Sequence, residues 1–276
     1  VESGEPVPLS LEQHCHCLAV QDKMMQPFTY CVDPGCTTAH TGNRGCVEHE
    51  STNCIYVQYV NEHDIEIRPE EILHLPPDTT PEQKLEFVKA FNAEIKGLAN
   101  IGTFIVCDQD PKGAIPMKNV YKIKFDASGK LTKYKVRATI LGYRQRLFDS
   151  FFSTFSPTGT LTTLRMVLVT AVINNTLVIH SDIPQAFLSS DMDARIKALL
   201  PAGSYYRKSD GTLSRLVIVA RALYGAKQSP QLFNHEFNYF ITFTQFFTRC
   251  DAEPQLYHFQ DENGWVLVYD NVDDLV

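Results

Sequence analysis

Hydrophobic spacing gives the chain a clear pattern only after about residue 80. Residues 1–80 form a Gly- and Pro-punctuated leader, and Pro76-Pro77 indicates a linker at its end. Thr80, Pro81 and Gln83 then have the arrangement of a helix start with a capping box. Apolar residues recur behind them at helical spacing, at Leu85, Val88, Phe91, Ile95 and Leu98. We therefore expect a helix that begins at residue 81 and ends before Gly102.

Alternation with a period of two predicts a β-hairpin over residues 119–142. Its strands are 120–125 and 131–141, joined by the turn Asp126-Ala127-Ser128-Gly129. Side chains alternate between faces, so one face is apolar and the other carries five cations: Lys122, Lys124, Lys133, Lys135 and Arg137. Like charges across a hairpin cost stability. The face is therefore expected to bind phosphates, although a solvated charged surface remains the alternative.

The rest of the chain alternates helices with short strands. We predict helices over 161–175 and 229–247, and strands over 177–182, 196–200 and 216–219. A second hairpin is predicted from strands 255–260 and 265–270. Leu164, Val167, Leu168, Ala171 and Val172 would form the apolar side of the first of these helices. This order favours an α+β fold with helices packed on a mainly antiparallel sheet.

Charge separates the leader from the remainder. Residues 1–80 hold 3 Lys/Arg against 13 Asp/Glu, whereas residues 81–276 hold 22 against 19. Nine cations and one acid lie between Lys118 and Arg146, which indicates a polyanionic partner. Six of the eight cysteines precede residue 55, interleaved with His14, His16, His40 and His49. Reduced thiols or a zinc site would both fit, but the spacing matches no standard zinc motif.

Three aspartates are candidates for a metal site. Asp182 ends a predicted strand, and Asp273 and Asp274 follow another. If the two strands are neighbours, the three carboxylates converge, and such a cluster can hold two divalent ions for phosphoryl transfer. An acidic, solvated turn is the alternative for the Asp273-Asp274 pair.

The chain from about Phe91 onwards resembles the reverse transcriptase of copia-type (Ty1-type) LTR retrotransposons. Six stretches carry the resemblance in order: LTKYKVRATILGYRQ (131–145), FSPTGTLTTLR (155–165), HSDIPQAFLSSDM (180–192), ARALYGAKQSPQLFN (220–234), RCDAEPQLYHF (249–259) and VLVYDNVDDLV (266–276). The resemblance implies the fingers and palm of a right-hand polymerase, truncated before the thumb. It divides the chain into the leader, 1–80, and a partial polymerase domain, 81–276.

The resemblance also assigns roles to residues. Asp182, Asp273 and Asp274 match the catalytic, metal-binding aspartates of the family, which hold two Mg²⁺ or Mn²⁺ ions. Lys135 and Arg137 match the Lys-x-Arg of the fingers hairpin that faces the incoming triphosphate. Phe187 matches an aromatic ring that excludes a 2′-hydroxyl. Tyr224, Gly225, Lys227 and Gln228 match the loop that lines the nucleotide pocket.

The resemblance further implies partners. These are an RNA template, a DNA or RNA primer, deoxynucleoside triphosphates, and polyprotein neighbours (integrase upstream, RNase H downstream), with an intracellular location in a cytoplasmic particle or the nucleus and no membrane. The chain starts at Val1 and stops after the Asp273-Asp274 pair, as a segment of a longer polypeptide would.

Departures from the family pattern lie beside the aspartates. Asn271 stands where the family has Tyr, and Asp270 precedes it in an otherwise apolar strand. Asp and Asn are disfavoured in buried strands, so they break the apolar pattern of this strand just before the aspartate pair. A catalytically inactive, nucleic-acid-binding remnant of such an element is therefore the alternative function.

Overall fold

The computed structural model describes residues 58–72, 75–272 and 274–276, and the backbone of two short strands, β1 (Phe28–Thr29) and β2 (His40–Thr41), which pair antiparallel. Apart from the backbone of His40, the cysteines and histidines considered as zinc ligands lie outside these residues. The chain forms two compact units. We name them the hairpin unit (residues 25–152 and 191–229) and the aspartate unit (described residues 153–190 and 230–276).

The hairpin unit is built on two sheets. Its five-stranded sheet has the order β4 (Phe104–Val106), β11 (Leu216–Arg221), β8 (Asp191–Leu199), β5 (Ile115–Phe125) and β6 (Leu131–Ile140). Its three-stranded sheet has the order β10 (Leu213–Ser214), β9 (Ser204–Arg207) and β3 (Ile65–Ile67). Pairing is antiparallel except between β5 and β8. Short 3₁₀ turns cover Glu62–Asp64, Pro69–Glu71 and Gly142–Arg144.

Helix α1 (Pro81–Asn100) covers the apolar face of the predicted hairpin. Its capping box is confirmed: the Thr80 N–H donates to Gln83 Oε1 at 3.0 Å, and the Gln83 N–H donates to Thr80 Oγ1 at 3.3 Å. Phe87 packs its ring against Tyr121 and Tyr134 with centroid distances of 5.2 and 4.9 Å. The buried side of the helix also includes Phe91, Ile95 and Leu98, whereas Leu85, expected on that side, is exposed.

The two faces of the hairpin β5–β6 are confirmed. Tyr134, Val136, Ala138 and Ile140 are half-buried or buried. Lys122, Lys124, Lys133 and Arg137 are exposed and Lys135 is half-buried, on the opposite face. β5 begins at Ile115, earlier than predicted, because its first two residues, Ile115 and Pro116, pair with β8 before the pairing with β6 starts at Met117.

The aspartate unit contains one antiparallel sheet. Its order is β12 (Thr248–Arg249), β13 (Leu256–Asp261), β14 (Gly264–Asn271), β15 (Asp274–Leu275) and β7 (Ser181–Asp182). The unit also contains helix α2 (Leu161–Ile173), a 3₁₀ turn (Ala186–Ser189), and helix α3 (Ser229–Tyr239) apart from its first residue. The predicted helix over 229–247 is not uniform, because α3 continues as a π-helical turn, Phe240–Thr244.

The strand predicted over 177–182 is mostly wrong. Only Ser181 and Asp182 form a strand, because β15 offers just two residues for pairing, at Leu275 and Asp274. Leu177 is 76% exposed, so the apolar run that predicted a buried strand lies on the surface. In α2 the expected apolar side is only partly buried: Val167 and Ala171 are buried, but Val172 is 81% exposed.

Both units are mixtures of helices and mainly antiparallel strands, which confirms the α+β class. Among the described residues, no helix combines the length and the apolar character needed to cross a bilayer.

Candidate active site

Two of the three predicted metal-binding aspartates are direct neighbours across a pair of strands. Asp182 in β7 is the Cα partner of Asp274 in β15. Opposed residues of an antiparallel pair lie about 4.5–5.5 Å apart at Cα and project from the same face of the sheet. Both side chains are exposed. Asp273 lies outside the described residues.

The turn that carries the aspartates is closed by backbone pairing. β14 ends at Asn271, β15 starts at Asp274, and these two residues are Cα partners. The N–H groups of Tyr269 and Val276 each donate to the other residue's carbonyl oxygen, at 2.7 and 2.9 Å. Although Asp270 and Asn271 break the apolar pattern of the sequence, β14 runs through both and β15 returns beside it.

Val272 holds the turn in an unusual backbone conformation. Its φ is +67°, a left-handed value that β-branched residues rarely adopt. Val272 and Leu275 pack against an apolar cluster that includes Phe233, Phe237 and Tyr257. The partial burial of these two side chains offsets the backbone cost at Val272.

Asp270 is fully buried beside this turn and is bound to Gln255, the residue that precedes β13. Its Oδ2 accepts from Gln255 Nε2 at 2.7 Å, and its N–H donates to the Gln255 carbonyl at 2.8 Å. Gln255 Oε1 in turn accepts from Asn234 Nδ2 of α3 at 2.9 Å. All three side chains are buried, so a polar chain links α3, through Gln255, to the end of β14.

His180 is a site residue that the sequence reasoning missed. Its Nε2 lies 3.2 Å from Asp274 Oδ1, and both side chains are more than half exposed. His180 precedes Asp182 by two residues, a spacing that in extended backbone places two side chains on one face. This spacing of two residues is the feature of the sequence from which His180 could have been predicted.

Phe187 is held by the apolar cluster of the aspartate unit. It lies in the 3₁₀ turn Ala186–Ser189, and its half-buried ring meets the ring of Phe233 edge-on, with centroids 6.3 Å apart. Gln185, which precedes this turn, has a φ of +56°. The Phe187 ring is therefore supported by its packing against Phe233.

Lys135 and Arg137 project from the hairpin unit among other cations. Burial lowers the pKa of Lys135, and the nearby charges of Arg137, Lys124 and Lys133 lower it further. The guanidinium of Arg137 lies 5.1 Å from the ring centroid of Tyr224, a cation–π arrangement. These contacts concentrate positive charge beside Tyr224.

Glu94 of α1 contacts β6, the strand that carries Lys135 and Arg137. Its Oε1 accepts from the Ala138 N–H at 3.1 Å. Burial raises the pKa of Glu94, while that hydrogen bond and the charges of Lys135 and Arg137 act in the other direction. Sequence reasoning missed this residue, because a single Glu in an amphipathic helix carries no signal of its own.

The loop at Tyr224 and Gly225 touches the end of β6 through its backbone. The Ile140 N–H donates to the Tyr224 carbonyl at 2.9 Å. Gly225 has a φ of +88°, and a Cβ there would lie 2.4 Å from the Ile140 carbonyl oxygen. Glycine is therefore required at this position by both conformation and space.

Gln228 and Lys227 are fixed by Gln145. Gln228 is fully buried: its Oε1 accepts from Gln145 Nε2 at 2.8 Å, and its Nε2 donates to the Ser150 carbonyl at 2.9 Å. The Lys227 N–H donates to Gln145 Oε1 at 2.8 Å, and its ammonium lies 4.6 Å from the ring centroid of Phe151. Gln228 therefore shapes the loop, while Gly225 and Lys227 are exposed and Tyr224 is half-buried.

The described carboxylates suit a hard cation. Asp182 and Asp274 present oxygen donors side by side, the ligand type that Mg²⁺ prefers. Within the described ranges, which leave out Asp273, no group of three His, Cys, Asp or Glu side chains could hold a metal ion. The two described aspartates thus supply part of a donor set.

Comparison with known proteins identifies the family of the larger part of the chain. Residues 102–276 match the family model described as "Reverse transcriptase (RNA-dependent DNA polymerase)". The "Retrovirus-related Pol polyprotein from transposon TNT 1-94" of Nicotiana tabacum is 29% identical over 70% of this chain and 14% of its own length. The corresponding polyprotein from transposon RE2 of Arabidopsis thaliana is 27% identical over 57% of this chain and 10% of its own length. The chain thus spans 14% or less of these curated relatives. No solved structure matches it significantly.

Proposed function

The chain belongs to the reverse transcriptase (RNA-dependent DNA polymerase) family, and on that premise we propose that it carries the nucleotidyl-transfer site of a copia-type retrotransposon polymerase. Family membership confirms the resemblance seen in the sequence motifs, and the matched relatives are Pol polyproteins of transposons. The proposed reaction joins the 3′-oxygen of a primer to the α-phosphorus of a deoxynucleoside triphosphate and releases pyrophosphate. An RNA template directs the choice of nucleotide.

One observation carries this proposal: Asp182 and Asp274 come from distant parts of the chain and are paired across β7 and β15. With Asp273, which follows Val272 in the same turn, they would hold two Mg²⁺ or Mn²⁺ ions. When bound, such ions neutralise charge on the attacking and leaving oxygens of a phosphoryl transfer. The chain's own contribution is a turn that apolar packing and the Asp270–Gln255 contact hold in place.

In the same proposal, Lys135 and Arg137 neutralise the triphosphate. Arg137 is exposed on the hairpin face that carries the five cations. Tyr224, the first residue of the loop predicted to line the nucleotide pocket, lies beside it. Lys227 adds a further positive charge, and Gly225 allows the backbone to approach β6 closely. Gln228 acts as a positioning residue, since its amide is bound by Gln145 and Ser150.

Phe187 would select deoxynucleotides. Its ring is braced by Phe233 and the surrounding cluster, so it cannot retreat far to admit a 2′-hydroxyl. The proposed architecture is the fingers and palm of a right-hand polymerase, with the hairpin unit as fingers and the aspartate unit as palm. An integrase and an RNase H would be the polyprotein neighbours, and the leader, residues 1–80, would precede the polymerase domain.

Primer extension on a primed RNA template tests the triphosphate-binding role. Arg137→Gln should raise the KM for the deoxynucleotide about 10-fold or more, because a charge-assisted hydrogen bond to phosphate is worth about 1.5–3 kcal/mol. Lys84→Gln, which removes an exposed charge from α1, is the matched control and should leave the KM unchanged. A chain that binds primed template in a salt-sensitive way but extends no primer would instead be the non-catalytic remnant.

A further inference from the structure

Helix α1 holds a carboxylate inside the hairpin unit that the proposed reaction leaves without a role. Glu94 is half-buried, and it lies one helical turn from Phe91 and from Leu98, whose side chains are buried. It therefore lies on the side of α1 that faces the β5–β6 hairpin. Enclosing a carboxylate costs free energy unless hydrogen bonds or opposite charges compensate. We therefore expect the groups around Glu94 to use its charge.

Glu94 occupies the open edge of the five-stranded sheet. β6 is the last strand in the order of this sheet, so alternate N–H groups along it point away from β5. Of these, the Ala138 N–H donates to Glu94 Oε1 at 3.1 Å, and the Ile140 N–H donates to the Tyr224 carbonyl at 2.9 Å. Glu94 and Tyr224 thus fix the end of β6 from outside the sheet.

This backbone contact adjoins the two cations that would bind the triphosphate. Arg137 directly precedes Ala138, and its guanidinium lies 5.1 Å from the ring centroid of Tyr224. Lys135 lies two residues before Arg137, on the same face of the strand. A shift of the β6 backbone at Ala138 would therefore displace both cations.

Lys135 is surrounded mainly by like charges. The charged side chains around it come from three elements: Lys133 and Arg137 on β6, Lys122 and Lys124 on β5, and Glu94 on α1. Burial lowers the pKa of Lys135, the neighbouring cations lower it further, and the charge of Glu94 acts in the opposite direction. Glu94 thus favours the protonated form of the amine, which is the form that binds a phosphate.

Glu94 supplies this charge without occupying the cations. Among the described residues, neither Lys135 nor Arg137 forms a salt bridge with Glu94, so their N–H donors stay available to a phosphate group. An amide at position 94 could accept the Ala138 N–H and would avoid the cost of burying a charge. The carboxylate is therefore explained by its charge rather than by the backbone contact alone.

We propose that Glu94 is a positioning residue for the triphosphate: it fixes the β6 backbone beside Arg137, and its negative charge maintains the positive charge of Lys135. Both cations then present their donors to the phosphates of the incoming deoxynucleotide. This role rests on the proposed polymerase function. The charge of Lys135 and the affinity for phosphate can nevertheless be measured without template, primer or metal.

The first measurement is the charge of Lys135 in the full chain, followed by NMR of lysine labelled with ¹³C at Cε and assigned through Lys135→Arg. Glu94→Gln keeps an acceptor for the Ala138 N–H and removes the negative charge, so the Lys135 titration should move to lower pH. Glu82→Gln is the matched control and should leave the titration unchanged. It removes an exposed charge from the first turn of α1, about 18 Å along the helix from Glu94.

The second measurement is the affinity for inorganic tripolyphosphate, determined by calorimetry without metal. At about pH 7, far below the ordinary pKa of lysine, Glu94→Gln should bind no more weakly than the unmodified chain. As the pH rises, the variant should lose affinity at a lower pH than the unmodified chain. Where Lys135 is neutral in the variant alone, the difference should be about 10-fold, the equivalent of one charge-assisted hydrogen bond.

Primer extension at neutral pH separates the backbone contact from the charge. Glu94→Ala removes both, so the KM for the deoxynucleotide should rise about 5- to 10-fold with kcat unchanged, since ground-state and transition-state binding are lost equally. Glu94→Gln should keep the KM of the unmodified chain or lower it. A fall in kcat of Glu94→Ala with KM intact would overturn the positioning role.

An unchanged Lys135 titration in Glu94→Gln would overturn the proposal, and so would tripolyphosphate affinities of Glu94→Gln and Glu82→Gln that fall together with rising pH. Glu94→Gln should melt at or above the temperature of the unmodified chain, because it keeps the hydrogen bond without a buried charge. If Glu94→Ala does not fold, the two glutamine variants decide. If the unmodified chain extends no primer, the polymerase function is contradicted, but both metal-free measurements still decide the role of Glu94.

Discussion

At the residue scale, the site depends on buried polar and aromatic groups behind the aspartates. Asp270 is fully buried in β14. Gln255, the residue just before β13, donates its side-chain N–H to the Asp270 carboxylate and accepts the Asp270 backbone N–H at its carbonyl oxygen. Burying a carboxylate is tolerated only when hydrogen bonds replace water. The pairing explains how β14 continues to the aspartate turn through a residue that strands disfavour.

Replacing Gln255 tests this explanation. Gln255→Leu removes the donor to Asp270 and the acceptor for Asn234, so the free energy of unfolding should fall by about 2–3 kcal/mol. Gln260→Leu, at an exposed position of β13, is the matched control and should change the free energy of unfolding by less than about 0.5 kcal/mol. Urea denaturation of the two variants gives both values, and equal stabilities would contradict the role of Gln255.

Tyr257 predicts a dependence of stability on alkaline pH. Burial raises the pKa of Tyr257 to about 12, whereas the unfolded chain ionises near its ordinary value. The raised pKa means that stability is fully present below about pH 10 and is lost as pH rises towards 12, at up to about 1.4 kcal/mol per pH unit. Urea denaturation at about pH 9 and about pH 11 should show a smaller fall for Tyr257→Phe than for the unmodified chain. Equal falls in the free energy of unfolding for the variant and the unmodified chain would show that the Tyr257 phenol ionises at the same pH in the folded and the unfolded state.

The sequence patterns predicted the aspartates of the proposed site but not the residues that contact and support them. Asp182 and Asp274 were predicted to converge because each adjoins a strand, and they are paired. Gln255, Asn234 and His180 could not be found in this way. Their roles depend on which strands become neighbours, and that pairing joins residues far apart in the chain.

At the element scale, the hairpin β5–β6 places like charges directly opposite one another. Lys124 is the Cα partner of Lys133, and Lys122 is the partner of Lys135. Like charges directly opposite one another destabilise an antiparallel pair. A strand pair that retains both oppositions is consistent with selection for binding phosphate rather than for stability.

Lys124→Gln separates these two properties. Removing one charge of an opposed pair should raise the free energy of unfolding by about 0.2–1 kcal/mol, with a smaller gain at high salt. The same change should weaken binding of primed template and lower its salt dependence. Urea denaturation at two salt concentrations, together with anisotropy, measures both. A variant that gains stability without losing affinity for primed template would show that the face is merely solvated.

Elements with regular alternation or strong caps were predictable from the sequence. Elements whose formation depends on pairing with a distant part of the chain were not. The capping box at Thr80 and the two-faced hairpin require only local sequence, and both are confirmed. The strand over 177–182 failed because an apolar run indicates a strand only when another strand is free to pair with it. At Asp270 the reverse holds: the residue breaks the apolar pattern, but the strand continues because the Gln255 side chain donates a hydrogen bond to Oδ2 of its carboxylate.

At the scale of the whole molecule, two units carry different parts of the proposed reaction. The aspartate unit holds the paired carboxylates and the braced Phe187 ring. The hairpin unit holds the five cations of the β5–β6 hairpin and the loop from Tyr224 to Gln228. In the proposed function, these separate features serve one polymerase reaction.

The most direct test of the central claim is the rate of deoxynucleotide incorporation by Asp182→Asn on a primed RNA template with Mg²⁺. At saturating template, primer and nucleotide, the rate should fall about 10³-fold, the equivalent of several kcal/mol of lost charge stabilisation in the transition state. Template affinity should be retained. Asp251→Asn, at an exposed position of the same unit, should extend the primer like the unmodified chain. Incorporation by Asp182→Asn at the unmodified rate would contradict the assignment of the paired aspartates as the catalytic site.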